Sequence, residues 1–128
     1  MASSLSGVAY VIDDDDCVRD STVALLKAAG IASRGYASGD AFLNDLDSSS
    51  RGCILLDLHM PVLSGFQVLD RLRAMRNELP VILFSGRADP ATEKLAKNSG
   101  AAALLPKPFS PAQLIEVVCR LLTEPGAT

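Results

Sequence analysis

Four polar positions stand out because each comes directly behind a short apolar run. Asp13-Asp14-Asp15-Asp16 follows residues 8–12, and Asp57 follows residues 53–56. Ser85, with Gly86 beside it, follows residues 80–84, and Lys107, between Pro106 and Pro108, follows residues 101–105. Carboxylates gathered in one small volume repel each other and raise one another's pKa, so something must compensate. A hard divalent cation with oxygen ligands does so, and Mg²⁺ typically takes one or two carboxylates plus waters and a phosphate. Lys107 adds a second positive charge and Ser85 a hydroxyl donor. In that setting Asp57 is placed to act as a nucleophile on phosphorus, giving an acyl phosphate. A phosphoryl group in transfer spreads negative charge over three oxygens, so positioning and positive charge are the main needs. The cation would neutralise one oxygen, Lys107 another, and Ser85 with backbone amides the third. Gly86 would keep the approach to Asp57 open.

Each residue also has an ordinary structural reading. A run of aspartates is commonly a solvated turn or helix start, where acidic groups suit the helix dipole. Asp57 alone reads as a cap after a strand, Lys107 as a loop lysine, and Ser85 says little by itself. Their shared position behind apolar runs is what separates the two readings.

Short apolar runs alternate with amphipathic segments along the whole chain, the pattern of a parallel α/β sheet. Residues 8–12, 31–36, 53–56, 80–84 and 101–105 read as strands. Residues 18–29 form a helix stopped by Gly30, and Ser38 caps a second carrying Ala41, Phe42, Leu43 and Leu46. Pro61 and Gly65 bound a loop before a third helix with Phe66, Leu69, Leu72 and Met75. Asp89-Pro90 opens a fourth that ends near Gly100, and Ser110-Pro111 a fifth with Leu114, Val117, Val118, Leu121 and Leu122 on its apolar side. Glu124-Pro125-Gly126 frays out. Right-handed crossovers place such a sheet between two helical layers. Ligands then sit outside the carboxyl ends of the strands, where strand order reverses.

Composition agrees with one domain over residues 1–128, with its core at about 8–122. The 128 residues are 48% hydrophobic and 21% charged, which reads as globular. With 12 basic against 15 acidic residues the net charge is −3, so no basic nucleic-acid surface is expected. No apolar run approaches the ~20 residues that span a bilayer, and the first seven residues do not read as a signal peptide. Cys17, Cys53 and Cys119 are widely spaced and odd in number, which argues against a disulfide framework or zinc site and fits a reducing cytoplasm. At least two of them are expected to be buried.

These motifs resemble the receiver domain of two-component response regulators. The resemblance rests on Val11-Ile12-Asp13-Asp14-Asp15, on Leu56-Asp57-Leu58-His59-Met60-Pro61 with Ser64-Gly65, on Phe84-Ser85-Gly86 and on Lys107-Pro108-Phe109. It covers the chain from Val8 to about Leu122. The stretch Tyr36-Ala37-Ser38-Gly39-Asp40-Ala41-Phe42-Leu43 is similar to receivers that precede helix-turn-helix output domains. The resemblance implies a doubly wound five-stranded parallel sheet in the order 2-1-3-4-5, with five helices on its two faces. It implies that Asp57 accepts a phosphoryl group from a histidine kinase, a histidine phosphotransfer protein or acetyl phosphate. Mg²⁺ or Mn²⁺ would be bound by Asp14, Asp57 and the His59 backbone carbonyl, with Asp13 acting through water. Lys107 would pair with the phosphoryl oxygens, its bond to Pro108 would be cis, and Ser85 would be the switch hydroxyl. His59, Arg87 and Gly86 would flank the site, with His59 and Arg87 tuning phosphoryl lifetime. Phosphorylation would alter the 89–122 face and so a partner or a second copy.

One position departs from that pattern. Where such receivers carry a Tyr or Phe three residues before the lysine, this chain has Leu104, which has no ring to swing inward and no hydroxyl. Three other functions share the fold. A phosphorylation-independent adaptor would keep the surface and not the chemistry. An aspartyl-phosphate phosphatase needs a second acid two residues after the nucleophile, where this chain has His59. A flavin or nucleotide binder needs a Gly/Ser/Thr-rich phosphate loop after the first strand, where this chain has four aspartates. The receiver reading makes the chain a signalling domain that catalyses only its own phosphorylation and dephosphorylation.

Overall fold

A computed structural model describes residues 7–47, 50–60, 64–86, 90–107 and 109–122. Pro61, Arg87, Asp89, Pro108 and the Glu124-Pro125-Gly126 tail, all of which carry expectations above, lie outside the described residues. The elements alternate strictly: β1 (Val8–Ile12), α1 (Asp16–Ala28), β2 (Ser33–Tyr36), α2 (Gly39–Asp45) and β3 (Gly52–Asp57). They continue as α3 (Gly65–Ala74), β4 (Val81–Ser85), α4 (Pro90–Asn98), β5 (Ala103–Pro106) and α5 (Pro111–Leu122). All strand pairs are parallel and the order is β2-β1-β3-β4-β5, as the resemblance implied.

The three central strands read as unbroken apolar runs because helices cover both of their faces. Successive side chains then enter two different cores. Tyr10, Ile12, Ile54, Leu56 and Leu83 pack with Phe42 of α2, Val68, Leu69 and Leu72 of α3, and Ala96 of α4. Val11, Cys53, Leu55, Ile82 and Phe84 pack on the other side with Leu26 of α1 and Leu114, Val118 and Leu122 of α5. Leu104 is half-buried against the first of these cores.

Several element boundaries differ from the sequence reading, β3 by taking in Gly52 and Asp57 and β4 by a shift of one residue to Val81–Ser85. Helix α1 starts at Asp16, two residues early, because the Asp15 side chain caps it by accepting the Val18 N–H at 3.1 Å. The acidic run is therefore half loop and half helix start. Strand β2 begins at Ser33, not Ile31, since the Ile31 N–H is bonded to the Leu26 carbonyl in the turn that ends α1. Strand β5 runs from Ala103 to Pro106, starting two residues later and ending one later than residues 101–105. Of the cysteines, Cys53 is buried, Cys119 half-buried and Cys17 exposed, so one thiol is fully interior where two were expected. Burial pushes the Cys53 thiol up to about 12.

Two glycines let backbone segments touch. A Cβ on Gly65 would stand 2.8 Å from the Asp57 carbonyl oxygen and 2.9 Å from Leu58 Cα, so α3 can begin directly beneath the end of β3. The Ser64–Gln67 capping box holds that helix start in place. Gly52 adopts φ 130 and lies so close to Val8 that a Cβ would clash with its carbonyl at 1.9 Å.

Candidate functional site

Strand register decides what meets at the carboxyl edge of the sheet. Ile12 pairs with Leu56, Asp57 with Phe84, and Ser85 with Pro106. Backbone bonds extend the ladder past the strand tips, from Leu58 N–H to the Phe84 carbonyl at 3.0 Å and from Lys107 N–H to the Ser85 carbonyl at 2.7 Å. Asp13, Asp57, Ser85 and Lys107 thus occupy neighbouring strand ends, as the sequence pattern requires. The stacked rings of Phe84 and Phe109, 4.9 Å between centroids, brace the segment after β5 against the sheet.

The carboxylates converge. Asp13 is fully buried and Asp57 nearly so, whereas Asp14 is exposed at the rim. One oxygen from each of Asp13, Asp14 and Asp57 lies within 4.8 Å of the other two. An all-oxygen set of this size, open to solvent on the Asp14 side, fits a hard cation such as Mg²⁺. Lys107 Nζ lies 2.8 Å from Asp13 Oδ2 and 3.4 Å from Asp57 Oδ2, bridging the two buried carboxylates. The other oxygens are held by the backbone: Asp13 Oδ1 accepts the Asp15 N–H at 2.9 Å, and Asp57 Oδ1 accepts the His59 N–H at 3.1 Å.

Three contacts at the site lie beyond what the sequence motifs predict. Arg19, one turn into α1, donates from Nη1 to the Asp13 backbone carbonyl at 2.9 Å and pairs with Asp16, which ties the acidic loop to its helix. The Asp16/Arg19 spacing on a helix face was the available signal. The Phe84–Phe109 stack is the second. The third is His59 Nε2, 3.2 Å from Ser85 Oγ, joining residues 26 apart with no local signal. A Cβ on Gly86 would meet nothing within 4 Å, so a methyl there would not crowd the site and glycine is not sterically required.

The electrostatics follow from burial. Desolvation raises the Asp57 carboxyl above its ordinary 3.8, with Asp13 adding to the rise while the His59 N–H and Lys107 oppose it. Burial works against the Lys107 ammonium, but Asp13 and Asp57 outweigh it and hold its pKa above 10.5. Between 3.8 and the raised folded value, the folded chain keeps a proton on Asp57 that the unfolded chain has lost, so this group's contribution to stability falls as pH rises. The Lys107 contribution has its own window: it is complete below 10.5 and disappears as pH climbs through the higher folded value. In chelator, denaturant titrations of the wild-type chain minus those of Asp57→Asn are expected to show the first decline. Added Mg²⁺ is expected to flatten it; a difference profile that rises with pH instead would contradict the geometry.

A model of the response regulator receiver domain matches residues 9–119 of this sequence. The chain belongs to that family. Relatives of the receiver include the response regulator protein TodT of Pseudomonas putida, 32% identical over 116 residues, which are 91% of this chain and 51% of TodT. The transcriptional regulatory protein FixJ of Azorhizobium caulinodans is 40% identical over 109 residues, 85% of this chain and 52% of FixJ. Among solved structures, full-length FixJ from B. japonicum matches with a TM-score of 0.86 at 34% identity, covering 96% of this chain and 62% of that one. A response regulator receiver protein from Burkholderia phymatum matches at 0.81 and 37% identity, covering 91% of this chain and 95% of that one. The receiver described here spans about half the length of TodT and of FixJ. Among the described residues no helix is long and apolar enough to cross a membrane.

Proposed function

We propose that this receiver, residues 1–128, is a cytoplasmic phosphorylation switch in which Asp57 takes a phosphoryl group from a histidine kinase or histidine phosphotransfer protein. The observation that carries the reading is the Lys107 ammonium lying between two buried carboxylates, beside a third, at the strand-order reversal. That arrangement is costly without a ligand, because burial and mutual repulsion both oppose the charges. A phosphoryl group with its cation uses all of it.

Asp14, Asp57 and the His59 carbonyl, with Asp13 through water, would hold a divalent cation, Mg²⁺ or Mn²⁺, which would supply charge neutralisation on the phosphoryl oxygens. The Asp57 carboxylate attacks phosphorus in line. A P–O bond forms to aspartate as the bond to the donor breaks, and the bond's electron pair leaves with the donor's imidazole nitrogen or, from acetyl phosphate, with acetate oxygen. Lys107 then moves from its resting pair with Asp13 toward the phosphoryl oxygens, and Ser85 donates its hydroxyl to another of them. An apolar groove of about 540 Å³ lined by Cys17, Val18, Leu25 and Phe109 opens beside Lys107, giving a protein donor a seat within reach of Asp57. The phosphorylated state is read out through the 89–122 face, where α4 exposes Leu95, by an output partner or a second copy.

The reading is tested by intact mass after acetyl phosphate and Mg²⁺, with borohydride trapping to locate the acyl phosphate. One phosphoryl per chain, trapped at Asp57 and absent in chelator, is expected. A wild-type chain that gains nothing, or is trapped at another residue, overturns it. Turnover of a generic phosphate ester would favour the phosphatase instead.

A further inference from the structure

Resting on the phosphoswitch reading, we infer that the His59 imidazole is the resting-state anchor of the Ser85 hydroxyl, so that phosphorylation must win Ser85 away from it. His59 touches both partners of the switch. Its backbone N–H holds Asp57 Oδ1 at 3.1 Å, and its Nε2 stands 3.2 Å from Ser85 Oγ. Ser85 is nearly fully buried at the end of β4, while His59 is exposed, so the imidazole lies across the hydroxyl from the solvent side. In the tautomer whose Nε2 carries no hydrogen, the ring accepts from Ser85, and a hydroxyl so directed cannot at the same time be directed at a phosphoryl oxygen on Asp57.

Leu104 makes the anchor matter more. It stands beside Leu83 in the β4–β5 register and packs half-buried against α4's side of the sheet, with no polar atom in its side chain. The side chain at 104 therefore offers no hydrogen bond with which to hold Ser85 in either position. Phosphorylation therefore sets the phosphoryl group in competition with the imidazole for the Ser85 hydroxyl. His59 is thus a positioning residue whose effect passes through Ser85.

One net hydrogen bond sets the scale. Releasing Ser85 is expected to strengthen binding of beryllofluoride, a phosphoryl mimic, by about three- to tenfold. With Mg²⁺ present, beryllofluoride affinity is measured for wild type, His59→Ala, Ser85→Ala and the double variant. The gain from His59→Ala is expected in the wild-type background and absent when Ser85 is already alanine. His59→Gln, which retains a hydrogen-bonding side chain, is expected to return the affinity toward wild type. Because the chain has one histidine, ¹⁵N resonances of its imidazole report the contact directly. The Nε2 resonance is expected to move on Ser85→Ala in the chelated protein, and to move again when wild type binds beryllofluoride. An equal gain in both backgrounds, or an Nε2 resonance indifferent to Ser85→Ala, overturns the inference. If instead wild type takes neither phosphoryl nor beryllofluoride, the phosphoswitch reading fails, while the chelated imidazole spectrum still decides whether the contact exists.

Discussion

Asp57→Asn is expected to abolish phosphoryl gain from acetyl phosphate, from one per chain to none, while leaving the fold intact. The amide keeps the oxygen that accepts the His59 N–H, so the turn after β3 retains its bond. It has no carboxylate to attack phosphorus, and no neighbouring oxygen can replace it, since Asp13 lies on a different strand end and is held by Lys107 at 2.8 Å. The substitution also removes a charge that burial and Asp13 both oppose. In chelator at neutral pH the variant is therefore expected to melt above wild type, and Mg²⁺ is expected to narrow the gap by favouring the intact carboxylate cluster. Intact mass and thermal melts check the two halves together. Residual phosphorylation would mean that Asp57 is not the acceptor. A variant that melts lower in chelator would mean that the Lys107 contact outweighs the burial cost.

Lys107→Met carries the second large effect. Its ammonium is the cation closest to the Asp57 carboxylate among the described ion pairs, and methionine keeps the length of the stem without the charge. Loss of one charge-stabilising donor on a transferring group costs about 10²–10³ in rate. The rate of phosphoryl gain is expected to fall by that factor, with the Asp57 carboxylate still in place. Stability moves in the opposite direction from Asp57→Asn. Asp13, fully buried, loses the partner at 2.8 Å and, among the described residues, keeps the Asp15 N–H on its other oxygen. That is expected to cost ~2 kcal/mol in chelator, tempered because Lys107 is partly exposed, or roughly 5–10 °C in melting temperature. Mg²⁺ is expected to restore part of it. Stopped-flow or quenched mass measurements of phosphoryl gain, with melts in chelator and Mg²⁺, distinguish the pair. An unchanged rate would remove Lys107 from the chemistry and leave it a structural counter-ion.

These opposed stabilities follow from one arrangement. Two buried acids share one ammonium, which favours Asp13 by 0.6 Å over Asp57 (2.8 against 3.4 Å). The nearer contact leaves Asp57 the less compensated of the two. Of the two acids, Asp57, the proposed acceptor, is the one whose charge is worse matched, and the one that would gain more from a cation and a phosphoryl group.

How much of this was legible beforehand can be judged residue by residue. Asp57, Ser85 and Lys107 could be placed because each ends an apolar run, and a parallel sheet covered on both faces writes its central strands as such runs. The helix starts at Ser38 and Ser110 were equally local, since a cap involves only the next three residues. Even so, α1 began two residues earlier than its apolar spacing suggested, because the capping acid was hidden inside a run of identical residues. Pairings of distant segments are different in kind. Lys107 and Asp13 are 94 residues apart, and whether the ammonium prefers Asp13 or Asp57 depends on strand register and side-chain reach. The His59–Ser85 contact depends on where the turn after β3 points its ring over β4. Sequence determined which chemical groups arrive at the strand ends, because period and capping act over a few residues. Only the tertiary structure decided which of those groups touch, because contact at 3 Å is set by the packing of separate strands, helices and loops.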